Sequence, residues 1–261
     1  MESSERFYGL DLKKLNTITK YPSILTYHKM GDRGILEGEL QVDFGEDKLF
    51  ATEKIDGVSS RIIFDNKGDY IIGSREELLY AKGDYIINPS LSIVETLYNE
   101  KFLNNIFAAD GFLTVFYFEV FGGKVTKASK QYTSTKKVGY RLFDIASICV
   151  KDLEGMELSK ISGWRESSNS YHSWTDAPLI KWHAVNIFGV DSSPTIDIEV
   201  LPKTVKDTLE FLEYFVPKSE VVLDKDALGN PEGIVVRNNN RSKIAKIRFE
   251  DYRRSLKKVK K

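Results

Sequence analysis

The chain has 261 residues, of which 41% are hydrophobic and 12% aromatic, enough for a sizeable core and unlike a disordered protein. Lys plus Arg and Asp plus Glu number 38 each, so net charge selects no partner and only local patches can. The single cysteine, Cys149, excludes an intrachain disulfide and is expected to be buried and inert in the apolar run 145–150; with no signal peptide and no membrane-spanning stretch, a soluble intracellular protein is expected.

The first pattern is Glu53-Lys54-Ile55-Asp56-Gly57, between two extended runs. A glycine there permits a tight turn that exposes the lysine, and the neighbouring acid can orient an amine or a metal-bound water. By itself, Lys-x-Asp-Gly describes an ordinary turn equally well. Arg61 to Phe64 and Tyr70 to Ser74 are rich in β-branched and aromatic residues and flank Asn66-Lys67-Gly68-Asp69, a hairpin turn. That hairpin returns Arg75 beside the residues just after Gly57, where its guanidinium either reaches an anion near Lys54 or is simply solvated. Val94, Leu97, Tyr98, Leu103 and Ile106 have helical spacing, with Ser92 and Glu95 placed as a capping box. Phe112 to Phe121 reads as an apolar strand interrupted by Glu119 and followed by Gly122-Gly123. A carboxylate in so apolar a strand is costly unless it meets a ligand, a metal or a cation.

An acid-free segment follows, carrying Lys124, Lys127, Lys130, Lys136 and Lys137. Arg141 to Ile145 is a short strand in which Phe143 is either core or a stacking surface for a base. The stretch from Ser162 to Pro194, with Trp164, Trp174 and Trp182, reads as a long surface excursion packed by its own aromatics. A helix is predicted from Val205 to Tyr214, capped by Thr204 and bracketed by Pro202 and Pro217. Glu232 precedes the strand Gly233 to Arg237, and Lys246-Ile247-Arg248 puts two cations on one strand face, either solvated or jointly holding an anion. His28, His172 and His183 are scattered and form no zinc set. Strands and helices do not alternate regularly, so the expected class is α+β with antiparallel sheets.

Taken in order, Lys54 to Gly57, Gly73-Ser74-Arg75, Phe118 to Gly122, Arg141 to Ile145, Glu232 to Arg237 and Lys246 to Arg248 resemble the six elements of the covalent nucleotidyltransferase superfamily of polynucleotide ligases and mRNA capping enzymes. The Ser74-Arg75 element and Phe143-Asp144 are similar to the RNA ligase two-like branch, and Ser59 stands where DNA ligases carry an arginine. Arg248 stands where lysine is usual. Only 13 residues follow Arg248 (261 minus 248), so one ATP-grasp-like adenylyltransferase domain over 1–261, antiparallel sheets flanked by helices, is expected, without an oligonucleotide-binding fold.

The resemblance implies that Lys54 takes AMP from ATP, passes it to an RNA 5′-phosphate, and that a 3′-hydroxyl then displaces AMP to seal the strand. It implies a catalytic set of Lys54, Glu232, Lys246 and Arg248, and nucleotide contacts from Glu53, Asp56, Gly57, Arg75, Glu119, Phe143, Lys246 and Arg248. It further implies Mg²⁺ or Mn²⁺ held by Asp56, Glu119 and Glu232. Lys246, Arg248 and the divalent ion are expected to depress the Lys54 pKa toward a neutral amine. RNA contacts are expected from the lysines of 124–137 and from the eleven Lys and Arg of the last 25 residues, with room for a partner protein that adds RNA-binding surface. Three other readings fit the same residues: a DNA or nick ligase domain working with a partner, a GTP-using capping enzyme, and a non-catalytic RNA-end binding module.

Overall fold

The computed structural model describes residues 6–84, 92–98, 100–153, 155–166 and 172–259. In chain order the strands are β1 (Leu25–Thr26), β2 (His28–Met30), β3 (Leu36–Leu40), β4 (Phe50–Lys54), β5 (Val58–Phe64), β6 (Tyr70–Ser74), β7 (Leu78–Ala81), β8 (Phe112–Gly122), β9 (Val138–Cys149), β10 (His172–Trp174), β11 (Thr195–Ile196), β12 (Gly233–Arg237) and β13 (Ile244–Arg248). The helices are α1 (Leu12–Ile18), α2 (Ile93–Leu97), α3 (Ser129–Tyr132), α4 (Leu158–Glu166), α5 (Ala177–His183), α6 (Val205–Phe215) and α7 (Phe249–Val259). No helix among the described residues is long and apolar enough to cross a membrane.

Two sheets organise most of these elements, and β2 and β3 pair as a separate antiparallel ribbon. The larger, in the order β10-β9-β8-β5-β6-β7, is antiparallel throughout. The other, β1-β13-β12-β4-β11, is antiparallel except for the parallel pair β1 and β13. A mixed α+β architecture with antiparallel sheets is therefore what the irregular strand order produces. The continuous apolar run of β8 has a simple cause: both faces of its sheet are covered. Ile62, Phe64, Phe116 and Phe118 pack with Val94 and Leu97 of α2 on one face. Ile63, Val115 and Tyr117 pack with Leu15 and Ile18 of α1 and Ile161 of α4 on the other. The smaller sheet is covered on one side only, where Ala51, Ile234, Val236, Ala245 and Ile247 pack against Leu212 of α6 and Tyr252 of α7.

Local expectations hold where short-range hydrogen bonds enforce them. The β5–β6 hairpin closes because Asp65 Oδ1 accepts the backbone N–H groups of Lys67 and Asp69, each at 2.9 Å, while Gly68 takes φ +78. Thr204 caps α6 by accepting the Asp207 N–H at 3.1 Å. Ser92 does not cap α2: its φ of +60 turns the side chain away and no cap hydrogen bond forms. The predicted helix stops at Leu97, and Leu103 and Ile106 reach the core from a 3₁₀ turn and its exit instead. Their spacing records burial, which an irregular backbone satisfies as well as a helix does.

The stretch 162–194 also departs from expectation. It adds β10 to the edge of the large sheet, with Trp174 opposite Ala146, rather than lying wholly on the surface. Trp174 stacks on His172 at 4.7 Å and 12° and meets Tyr117 and Arg241, whereas Trp182 is exposed. The side chain of Trp164 lies outside the described residues, as do Lys260 and Lys261. Cys149 ends β9 and is half-exposed, not buried, because it falls at the strand's last position. His28 and His172 are buried and bonded to Tyr252 and Tyr117, respectively, consistent with structural roles.

Candidate active site

Strand register gathers the predicted residues. Gly233 pairs with Lys54 on one side and Arg248 on the other, and Val235 pairs with Thr52 and Lys246 in the next row on the same face. Two strand spacings put the Lys54 and Arg248 Cα atoms about 10 Å apart. Gly233 has φ +153, and a Cβ there would lie 2.0 Å from the Ile247 carbonyl oxygen, so only glycine can occupy the middle of this row. In the larger sheet Ser59 pairs with Glu119 and Ser60 with Ser74, which sets Arg75 next to Ser59. Arg61, fully buried, donates to the Ser74 and Arg75 carbonyls and so fixes the start of that turn. A cleft of about 1310 Å³ is lined by residues of both sheets, including Lys54, Gly57, Arg75, Glu119, Phe143, Lys246 and Arg248.

The Lys54 Nζ donates to Glu232 Oε2 at 2.6 Å. Glu119 lies across from it and accepts the Gly57 N–H at 3.1 Å. Burial, reinforced by the Glu232 and Asp56 carboxylates and only partly offset by Lys54, pushes the Glu119 carboxyl up to about 8. Burial likewise raises Glu232 above the ordinary carboxylate range, against the pull of Lys54. Lys246 is lowered by burial first and then by Arg248 and Lys54, and it has no carboxylate ion-pair partner among the described residues.

The raised Glu119 carboxyl has a consequence for stability. Between its unfolded value near 4.5 and its folded value of about 8 the folded state holds the extra proton, so stability falls as pH rises through that window. Unfolding midpoints across it are expected to decline for the wild type and to be flatter for Glu119→Gln. Parallel curves for the two proteins would remove Glu119 as the cause.

Several placements differ from the sequence reading. Glu53 alternates away from Lys54 along β4 and is buried, its Oε2 accepting the Glu220 N–H at 2.9 Å, so this carboxylate anchors the 217–221 loop while the residue also lines the cleft. Asp56, Glu119 and Glu232 sit within electrostatic reach of one another, but no three His, Cys, Asp or Glu side chains among the described residues come close enough together to hold a metal. Arg248 spends its planar fork on Asp251, with Nε–Oδ2 at 2.8 Å and Nη2–Oδ1 at 3.0 Å, a bidentate geometry that lysine lacks. Phe143 is the extra residue where the β8–β9 register shifts, and its ring borders the cleft while meeting Tyr21 edge-on at 5.0 Å.

Gly57 serves a purpose other than a left-handed turn. Its φ is not positive, but a Cβ would lie 2.3 Å from the Val120 carbonyl oxygen, so the missing side chain lets β5 leave the turn tight against β8. Gly57→Ala is expected to cost about 1–3 kcal/mol through that overpacking. An unchanged denaturant midpoint would show that the two strands part without penalty.

Some participants were not among the predicted site residues. Tyr132 accepts the Asp56 N–H at 2.6 Å, and Thr126 donates to the Asp56 carbonyl at 3.2 Å, holding the turn that follows Lys54. Asp144 is buried between Arg237, at 2.9 Å, and Arg241, at 3.3 Å, and accepts the Tyr21 hydroxyl at 2.8 Å. Tyr21, Asp144 and Arg237 form part of the cleft wall. Arg237 could have been singled out by the criterion that flagged Glu119, since it closes an otherwise apolar strand.

Among solved structures, a mutant RNA ligase of Naegleria gruberi in its apo form superposes with a TM-score of 0.52 at 15% identity, covering 92% of this chain and 64% of that one. The same organism's RNA ligase solved with PPi gives 0.48 at 16% identity, covering 82% and 52%. The chain thus spans between half and two thirds of these larger proteins, and the likeness is one of fold. No curated protein matches the sequence. The sequence profile of the RNA ligase family matches residues 47–259, from just before β4 to the end of α7, and the strands that carry Lys54, Glu119, Lys246 and Arg248 all fall inside it: the chain belongs to the RNA ligase family.

Proposed function

We propose that the chain is an ATP-dependent RNA ligase that works through a covalent Lys54–AMP intermediate. The observation that carries this reading is the setting of the Lys54 amine: it stands on the cleft wall beside the carboxyl of Glu232, with Lys246, which has no carboxylate ion pair among the described residues, in the adjacent row of the same sheet face and Arg75 also lining the cleft. A nucleophile, a proton acceptor and cations for phosphate oxygens are the three requirements of nucleotidyl transfer.

In the first step the Lys54 nitrogen attacks the α-phosphorus of ATP, a P–N bond forms, and the bond to pyrophosphate breaks. An ammonium has no lone pair, so the proton must leave first. Glu232, hydrogen-bonded at 2.6 Å and with its carboxyl raised by burial, is positioned to take it. In the second step an oxygen of the RNA 5′-phosphate attacks the same phosphorus, and the Lys54 amine leaves with a proton returned from Glu232. In the third, a 3′-hydroxyl attacks the 5′-phosphate, AMP departs, and a phosphodiester closes the strand. Lys246 and Arg75 would hold the phosphate oxygens on which charge develops, with Arg248 contributing what its pairing with Asp251 leaves free.

Asp56, Glu119 and Glu232 offer only oxygen donors, which fits Mg²⁺ or Mn²⁺. Because they do not converge, an ion there would fill its shell largely with water and phosphate oxygens, and it would supply neutralisation of phosphate charge. The test is incubation with α-labelled ATP or GTP and a divalent ion, followed by denaturing electrophoresis. A band labelled by ATP supports the ligase reading. Labelling by GTP alone would point to a capping-type reaction, and no label from either to a binding module.

A further inference from the structure

Two lysine- and arginine-rich stretches adjoin the site, one hydrogen-bonded to Asp56 through Thr126 and Tyr132 and the other running on from Arg248, and their side chains are differently engaged. In and beside α7, Arg248 is paired with Asp251, Arg254 with Glu250 and Asp251, Arg253 with Glu213, and Lys243 with Asp47. The segment 124–137 is the opposite case. Its five lysines, at 124, 127, 130, 136 and 137, are all exposed, the segment contains no acid, and none of the five is ion-paired with a carboxylate among the described residues. Cations left unpaired and together repel one another, and the arrangement gains free energy when a polyanion neutralises them and releases its counterions.

The segment is also fastened in place. Asp224 accepts the Thr133 hydroxyl at 2.6 Å, the Ser134 hydroxyl at 2.8 Å and the Ser134 N–H at 3.0 Å, so this carboxylate is engaged by hydrogen bonds to the segment's hydroxyls and backbone rather than by its lysines. Backbone bonds from Leu223 to Tyr132, from Leu228 to Lys130 and from Gly229 to Gln131 tie it to the 223–229 loop, and Gly123 bonds back to Lys137 at 2.7 Å. Tyr132 and Thr126 then grip both sides of the Asp56 peptide, two residues from Lys54. A rigid cationic surface is thereby held in fixed register with the reactive lysine.

We infer that segment 124–137 is the surface on which the phosphate backbone of the RNA docks, its lysines contacting phosphates while the 5′ end reaches Lys54. This rests on the ligase reading, and it names where the substrate lies rather than what the reaction is. The contacts are to phosphate and not to bases, so binding by this surface is indifferent to sequence.

The test replaces all five lysines by alanine and measures affinity for a short 5′-phosphorylated single-stranded RNA over a range of salt, alongside ATP labelling of Lys54. Labelling does not involve RNA and is expected to stay at the wild-type level. Affinity is expected to fall by about tenfold or more, and the slope of log K against log salt to shrink by about 0.7 for each phosphate that is no longer neutralised. Arginine at all five positions is expected to restore both, and alanine at Lys243 and Arg253, whose charges are already paired with Asp47 and Glu213, to leave both near wild type. Unchanged affinity and slope in the alanine variant would overturn the inference. So would a loss equalled by the Lys243 and Arg253 variant. If ATP never labels the wild-type protein, the ligase reading fails, and the salt titration still decides whether this surface holds RNA.

Discussion

Lys54→Ala is expected to abolish the ATP-dependent label on the protein and to lower strand sealing on the order of 10⁴-fold or more, since it removes the amine that sits beside the Glu232 carboxyl. Lys246 is the competitor in the same sheet face, a cation without a carboxylate partner among the described residues, whose pKa burial lowers. It lies two strands over from β4, in the row of Thr52 rather than that of Lys54, and lacks the neighbouring carboxyl that Lys54 has in Glu232. Lys246→Ala should therefore weaken labelling, by removing a cation from the phosphate, without moving its site. Mass spectrometry of the labelled peptide separates the two cases. An adenylate found on Lys246, or a label that survives in Lys54→Ala, would sink the assignment.

Asp144→Ala is expected to be the most destabilising single change in the cleft region, by about 3–5 kcal/mol, because it strands two guanidiniums in the interior. Asp144 is 1% exposed, and it receives Arg237 Nη1 at 2.9 Å and Arg241 Nε at 3.3 Å. Arg241 is further sandwiched by Trp174, at 3.9 Å from its ring, and Tyr21, at 4.7 Å. Burial first, and the nearby Arg241 guanidinium second, lower His172 to about 3. At roughly 2–4 °C per kcal/mol for a protein of this size, the melting temperature should drop by about 6–20 °C. Pairing Asp144→Ala with Arg237→Leu should recover part of the loss, since the double change removes one of the stranded charges. A melting temperature within about 2 °C of wild type would mean that water already reaches the cluster and screens it.

Much of the site was legible because its residues break local rules. Glu119 stands out as a charge in an apolar strand, Lys246 and Arg248 as like charges on one strand face, and Lys54-x-Asp-Gly as a lysine at a turn. The hairpin that returns Arg75 could be read from Asn66 to Asp69, and strands β6 and β12 follow their apolar runs residue for residue. These features depend on neighbours within a few positions of the chain, where alternation and turn chemistry act directly.

The sequence by itself determined strands β5, β6, β8, β9, β12 and β13, in part or whole, the α+β class and the set of charged residues that had to be explained. Tertiary structure decided their partners. Whether Glu53 met the 217–221 loop, whether Arg248 kept its fork free, and whether three carboxylates converged all depended on segments far apart in the chain being brought together. The same holds for Asp144 with Arg237 and for Tyr132 with Asp56, separated by 93 and 76 positions. The physical reason is one of range. Backbone preference and side-chain alternation are local and legible along the chain, whereas the worth of a buried charge is set by whichever opposite charge or hydrogen-bond donor the fold places within a few ångströms of it.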